Sequence, residues 1–125
     1  MRHGNLFVIS GPSGAGKGTL VARLLREIPD AWVSMSVTTR KPREGEVDGV
    51  HYRFASPEEF QELVDEDGLL EWATYGGNCY GTPRATVEEH IACGDQVILE
   101  IDVQGGFQVR DKFPSAHLVF IEPPS

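Results

Sequence analysis

The stretch "LFVISGPSGAGKGTLVARLLREI", residues 6–28, decides how the rest of the chain is read. Leu6 to Ile9 form a short continuous apolar run, the pattern of a strand buried on both faces of a parallel sheet. A glycine-rich turn, Gly11 to Lys17, follows at once. Beyond it Leu20, Leu24 and Ile28 recur at helical spacing with Val21 and Leu25 beside them, while Arg23, Arg26 and Glu27 fall elsewhere. That is an amphipathic helix, stopped by Pro29. Set between a buried strand and a helix N-terminus, the spacing G-x-x-x-x-G-K of Gly11, Gly16 and Lys17 is that of a phosphate-binding loop. Glycines let consecutive backbone N–H groups converge on phosphate oxygens, the lysine ammonium reaches the outer phosphates, and the helix dipole adds its field. Gly18 departs from the pattern, because the residue after the lysine usually offers a hydroxyl to Mg²⁺. Thr19 or water then has to complete that shell.

Working outward, the texture changes between Val33 and Pro83 to short runs broken by Gly, Pro and Asp. "SVTTR", "VHYRFA" and "LLEWATY" read as strands and "PEEFQELVDEDG" as a helix, together a small β-rich lobe inserted into the core. After it "RATVEEHIACG" is a helix ended by Gly94, "QVILEID" a second buried strand, "GGFQVRDKF" a short helix and "HLVFIE" a third strand. The returning alternation of strand and helix makes the core α/β. Three buried strands are a thin sheet, and the reading expects further structure after Ser125.

The composition sets bounds on the partners. The chain has 125 residues, 40% of them hydrophobic and 24% charged, which suits one soluble domain with an inserted lobe. A net charge of -8 argues against a broad nucleic-acid or anionic-membrane surface, since such surfaces need a field of Lys and Arg. Neither nucleic acid nor membrane is expected as a partner. Cys79 and Cys93 make no disulfide framework, and neither they nor His3, His51, His90 and His117 stand at metal-ligand spacing. Free thiols and the absence of a signal-like or spanning N-terminal run predict a cytoplasmic location. Trp32 and Trp72 read as packing residues.

In this acidic chain Arg40, Lys41, Arg43 and Arg53 place four of 11 basic residues within "RKPREGEVDGVHYR", residues 40–53. Two arginines three apart can grip a phosphate through their guanidinium forks. Alternatively the cluster is a solvated turn balanced by Glu44, Glu46 and Asp48. Glu71 stands in an otherwise apolar strand, where a buried carboxylate requires a partner. Guanine offers two adjacent donors, N1–H and N2–H₂, that one carboxylate can accept, whereas adenine pairs a donor with an acceptor. Glu71 is therefore a candidate base reader, or else an outward-facing strand residue. Glu100 and Asp102, two apart on a strand, share a face. They can organise Mg²⁺ directly or through water, or hold an arginine such as Arg40.

Taken together and in this order, "SGPSGAGKGT" (10–19), "SVTTRKPREGEVDGVHYRF" (36–54), "LLEWATYGGNCYGTP" (69–83) and "ILEIDVQG" (98–105) resemble the guanylate kinases, over residues 5–125. The resemblance implies a P-loop nucleoside monophosphate kinase core, a parallel sheet flanked by helices, at 1–34 and 84–125, with a β-rich GMP-binding lobe at 35–83. It implies that Gly11, Pro12, Ser13, Gly14, Ala15, Gly16, Lys17, Gly18 and Thr19 hold the phosphates of ATP. By the same resemblance Arg40, Arg43, Tyr52 and Tyr80 are expected on the GMP phosphate and Ser36, Glu71 and Thr82 on guanine. Glu100 is expected on the GMP side, and Thr19 and Asp102 near Mg²⁺. Lys17, Arg40 and Arg43 are the expected catalytic cations.

The implied reaction is reversible transfer of the γ-phosphoryl of ATP to GMP, with no covalent enzyme intermediate. Members of that family continue past "PPS" with a lid segment whose arginines reach ATP and with adenine-contacting residues. The 125-residue chain is accordingly expected to bind GMP and to be weak or inactive as a kinase. A kinase for another acceptor, or a module of the same fold that binds GMP or a protein partner without catalysis, is the alternative. Gly11, Gly14, Gly16 and Lys17, all present, speak against the module.

Overall fold

A computed structural model of the chain describes residues 4–11, 17–49 and 52–121. In chain order its elements are β1 (Asn5–Ser10), α1 (Lys17–Glu27), β2 (Ala31–Val33), β3 (Val37–Thr38), β4 (Arg53–Phe54), α2 (Pro57–Asp65), β5 (Leu69–Tyr75), β6 (Asn78–Pro83), α3 (Arg84–Ala92), β7 (Gln96–Glu100), α4 (Val103–Lys112) and β8 (His117–Phe120). They fall into two compact units, one drawn from residues 1–34 and 86–125, the other from residues 35–85. None of the described helices is long and apolar enough to cross a membrane.

The first unit is built on a parallel sheet of order β2-β7-β1-β8. Side chains alternate between the faces of a strand, so Ile9 and Val8 of β1 point opposite ways. Ile9 and Ile98 pack with Val21, Leu20 and Leu24 of α1. On the other face α4 brings Gly106 so close that an added Cβ would stand 3.5 Å from Val8 Cγ1 and 3.4 Å from Ser10 Oγ. Helices on both faces bury the central strands, and Leu6, Val8, Ile9, Val97, Ile98 and Leu99 are all almost inaccessible. The sequence reading anticipated an α/β core with a parallel sheet flanked by helices, and this is the architecture found.

Two details differ from the sequence reading. The core sheet has four strands among the described residues, because Ala31–Val33 adds to β7 through the Trp32↔Val97 register and a Ser34 N–H to Ile98 carbonyl bond of 3.0 Å. Three residues are too few to display a period. Leu25, placed beside the apolar stripe of α1, is 44% exposed. It lies one residue past Leu24, a rotation of about 100° that carries it off the buried face. Trp32 packs as expected, its ring stacked on His90 at 3.6 Å and 6°.

The second unit has a mixed sheet of order β4-β3-β6-β5, parallel between β3 and β4 and antiparallel elsewhere. Gly76 and Gly77, at φ 58° and 82°, form the two-residue turn that joins β5 to β6, a conformation that favours glycine at both positions. Helix α2 begins with a reciprocal cap: Ser56 Oγ accepts from the Glu59 N–H at 3.1 Å and Glu59 accepts from the Ser56 N–H at 3.0 Å. Its Phe60 packs with Val37 and Leu69 into this unit's own core. Val37 lies opposite Gly81, and Trp72 is paired with Gly81 from the other side, so these mark the face that α2 covers. The opposite face carries Thr38, Tyr80, Thr82 and Glu71.

Candidate functional site

In a parallel sheet every strand ends on the same edge, and that edge is where open α/β sheets bind ligands. Here it gathers Gly11 after β1, Ser34 after β2 and Asp102 after β7. Ser10 Oγ donates to the Asp102 carbonyl at 3.3 Å, which ties the entrance of the glycine loop to the end of β7. Gly11 is required for space: a Cβ there would stand 2.5 Å from the Ile121 carbonyl oxygen. Pro12, Ser13, Gly14, Ala15 and Gly16 lie outside the described residues. Lys17 opens α1, with Gly18 and Thr19 exposed in its first turn. That turn carries no acidic residue, in contrast to α2 with Glu58 and Glu59. The first turn of α1 thus adds no carboxylate of its own to the positive end of the helix dipole.

Glu100 is exposed at the end of β7. Asp102 is the N-cap of α4, its Oδ1 accepting from the Gly105 N–H at 2.7 Å. No group of three or more His, Cys, Asp or Glu side chains able to hold a metal occurs among the described residues. Thr19 hydroxyl and Asp102 carboxylate are nonetheless hard oxygen donors that suit Mg²⁺, an ion that keeps several waters and needs few protein ligands.

The second unit holds the remaining predicted residues, and Glu71, Tyr80 and Thr82 among them share its polar face. Glu71 is buried at 7% exposure, although its strand neighbour Trp72 is 39% exposed, so it is not an outward-facing strand residue. Its partner is directly across the ladder: Thr82 Oγ1 donates to Glu71 Oε1 at 2.7 Å. Tyr80, two residues before Thr82, shares that face. Its ring meets Tyr52 edge-on at 6.3 Å, and the Arg40 guanidinium lies over the Tyr52 ring at 5.2 Å. Ser36 is half-buried just before β3, its carbonyl accepting from the Arg53 N–H at 3.0 Å. Arg43 is exposed. Near Tyr52 the Gly49 N–H donates to the Tyr52 carbonyl at 2.9 Å and Asp48 Oδ1 accepts from the Phe54 N–H.

The acids of the basic segment are not interchangeable. Glu46 takes the Arg40 guanidinium with both oxygens, at 2.8 Å and 3.0 Å, and also accepts the Arg43 N–H at 2.7 Å. These hydrogen bonds, from Arg40 first and the Arg43 backbone second, hold the Glu46 carboxyl down to about 2. The same contact raises the Arg40 guanidinium, with the Tyr80 hydroxyl adding to it. Thr38 and Thr39 also escaped the sequence reading. Thr38 Oγ1 donates to the Cys79 carbonyl at 2.9 Å while accepting the Arg40 N–H at 3.1 Å, and Thr39 Oγ1 accepts the Cys79 N–H at 2.9 Å. They anchor the arginine segment to β6. A pair of hydroxyls before an arginine was the only signal in the sequence.

The family model described as guanylate kinase matches residues 3–125. Among curated relatives, the guanylate kinase of Desulfitobacterium hafniense (strain Y51) is 56% identical over 98% of this chain, and that of Streptomyces coelicolor is 55% identical over 96% of it. The chain spans 62% and 61% of their respective lengths. A crystal structure of guanylate kinase from Anaplasma phagocytophilum superposes with a TM-score of 0.77 at 36% identity, covering all of this chain and 63% of that one.

Proposed function

The chain belongs to the guanylate kinase family, and from that premise we propose that it binds GMP through residues 35–85 and ATP through the glycine loop, for transfer of the γ-phosphoryl group to GMP. The observation that carries the GMP assignment is the buried Glu71, with Thr82 donating to one of its oxygens. A carboxylate fixed in this way accepts the adjacent N1–H and N2–H₂ of guanine, and adenine cannot supply both donors. Ser36 and Thr82 flank it as further contacts to the base. Arg40, Tyr52 and Tyr80, which lie against one another, then receive the acceptor phosphate together with Arg43, and Glu100 is assigned to GMP by the family resemblance alone.

Phosphoryl transfer of this kind asks the protein for alignment and charge neutralisation rather than covalent chemistry. Gly11 to Thr19 would cradle the donor phosphates with backbone N–H groups and the α1 dipole. Lys17 would neutralise the outer phosphates, and Arg40 and Arg43 would hold the acceptor and meet the charge that develops on the transferred group. Thr19 and Asp102 would hold Mg²⁺ brought with ATP, directly or through water. Bound Mg²⁺ supplies further neutralisation of the β- and γ-phosphates. A cytoplasmic location accords with the free thiols Cys79 and Cys93.

The test is calorimetric titration of the 125-residue chain with GMP, AMP and ATP in turn. GMP binding at least tenfold tighter than AMP is expected, roughly the value of one well-placed hydrogen bond to a charged group. Equal affinities for GMP and AMP would refute the guanine assignment. A coupled assay of ADP release is expected to find weak or absent turnover in residues 1–125 alone, and turnover typical of kinases would refute that part of the reading.

A further inference from the structure

Arginine has five N–H donors in a rigid fork. In Arg40, Nη1 spends its two on Glu46 Oε1 at 2.8 Å and the Lys41 carbonyl at 3.1 Å, and Nη2 spends one on Glu46 Oε2 at 3.0 Å. Glu46 therefore occupies the outer edge of the guanidinium, between Nη1 and Nη2. The inner edge, Nε–H with the second Nη2–H, is a parallel pair of donors matched to two phosphate oxygens, and the Tyr80 hydroxyl, itself assigned to the phosphate, also interacts with this guanidinium. The pair is not a loose surface bridge, since the Arg40 and Glu46 side chains are only 11% and 18% exposed. Glu46 also fixes the other arginine, accepting the Arg43 N–H at 2.7 Å while its own N–H donates to the Arg43 carbonyl at 2.9 Å.

We propose that Glu46 is a positioning residue for the acceptor phosphate: it grips Arg40 by the outer edge, ties down the Arg43 backbone, and so turns the inner edge of Arg40 toward the phosphate. This rests on the assignment of Arg40 to GMP made above. Glutamine cannot replace it, because its amide Nε2–H would face the Arg40 Nη2–H donor to donor. Aspartate lacks the methylene needed to reach both the fork and the Arg43 N–H.

The role predicts a selective defect. Glu46 acts through the phosphate arginines, so its loss should weaken GMP and leave guanosine untouched, whereas damage to the lobe as a whole would weaken both. GMP and guanosine affinities are measured by calorimetric competition for the wild-type chain, for Glu46→Gln and for Glu46→Asp, so that a folding failure in one variant leaves the other. A rise of roughly tenfold in the Kd of GMP with guanosine unchanged is expected, the loss of one charge-assisted hydrogen bond. In an Arg40→Ala background the Glu46→Gln effect should shrink to less than half. Unchanged GMP affinity, a parallel loss of GMP and guanosine in both variants, or a full Glu46→Gln effect without Arg40 would each overturn the proposal. Failure of the wild-type chain to bind GMP would instead overturn the functional reading beneath it.

Discussion

Thr82 and Glu71 face each other across the β5–β6 ladder, and the threonine hydroxyl donates to the carboxylate at 2.7 Å in a buried setting. The ladder register, not side-chain flexibility, fixes the distance between them. Glu71→Gln keeps an acceptor for Thr82 and should leave the fold intact, while the preference for GMP over AMP falls by about tenfold to a hundredfold. Thr82→Ala instead removes a donor from a buried carboxylate, and should lower stability by about 1–3 kcal/mol. Thermal melts and paired nucleotide titrations separate the two effects.

Gly11 and Gly18 bracket the glycine loop but answer to different constraints. A Cβ on Gly11 would collide with the Ile121 carbonyl, whereas one added to Gly18 would meet, among the described residues, no atom within 4 Å beyond its chain neighbours and its own helix backbone. Gly11→Ala should therefore destabilise the first unit, by about 1–3 kcal/mol for an overpacked contact. Gly18→Thr should be tolerated and raise stability by a few tenths of a kcal/mol, because glycine is the poorer helix former. The variant also restores a hydroxyl after Lys17, so Mg²⁺-dependent affinity for ATP should rise or hold. A fall in both stability and ATP binding would contradict this account of the loop.

How much of this was legible in the sequence depended on the length of each signal. The run from Leu6 to Ile28 declared strand and helix because a continuous apolar run marks a strand buried on both faces and an amphipathic helix displays a period. Glu71 announced its need for a partner through its apolar neighbours, and Thr82 is that partner. Strand β2 stayed hidden because Ala31–Val33 is shorter than any period, and its place is set by β7, more than sixty residues away. Glu46 was visible only as one of three acids beside an arginine cluster. Its selection over Glu44 and Asp48 depends on the turn in which the Glu46 N–H closes onto the Arg43 carbonyl, with Gly45 at φ 86° between them. Likewise, the bonds of Thr38 and Thr39 to Cys79 follow from the β3–β6 pairing and not from local spacing.

The carboxyls of Glu46 and Glu59 give the second unit a defined acid limb. Glu46 is held down to about 2 from 4.5 by the Arg40 contact, and Glu59 is lowered by its hydrogen bond from the Ser56 backbone. A carboxyl depressed in the folded state contributes stability that is fully present above its unfolded value and is lost as pH falls through the folded one. Stability should thus be level above about pH 5 and decline from pH 4.5 toward 2. Removing the charge of either residue should flatten that limb, most strongly in Glu46→Gln and less in Glu59→Gln, with the melting temperature at neutral pH reduced in both. Ser56→Ala breaks the same helix cap from its other side and should cost about 1 kcal/mol at pH 7. Denaturant melts at half-unit intervals between pH 7 and pH 2.5 would check the ordering. An acid limb of unchanged slope in Glu46→Gln would mean that the Arg40–Glu46 pair does not form in solution.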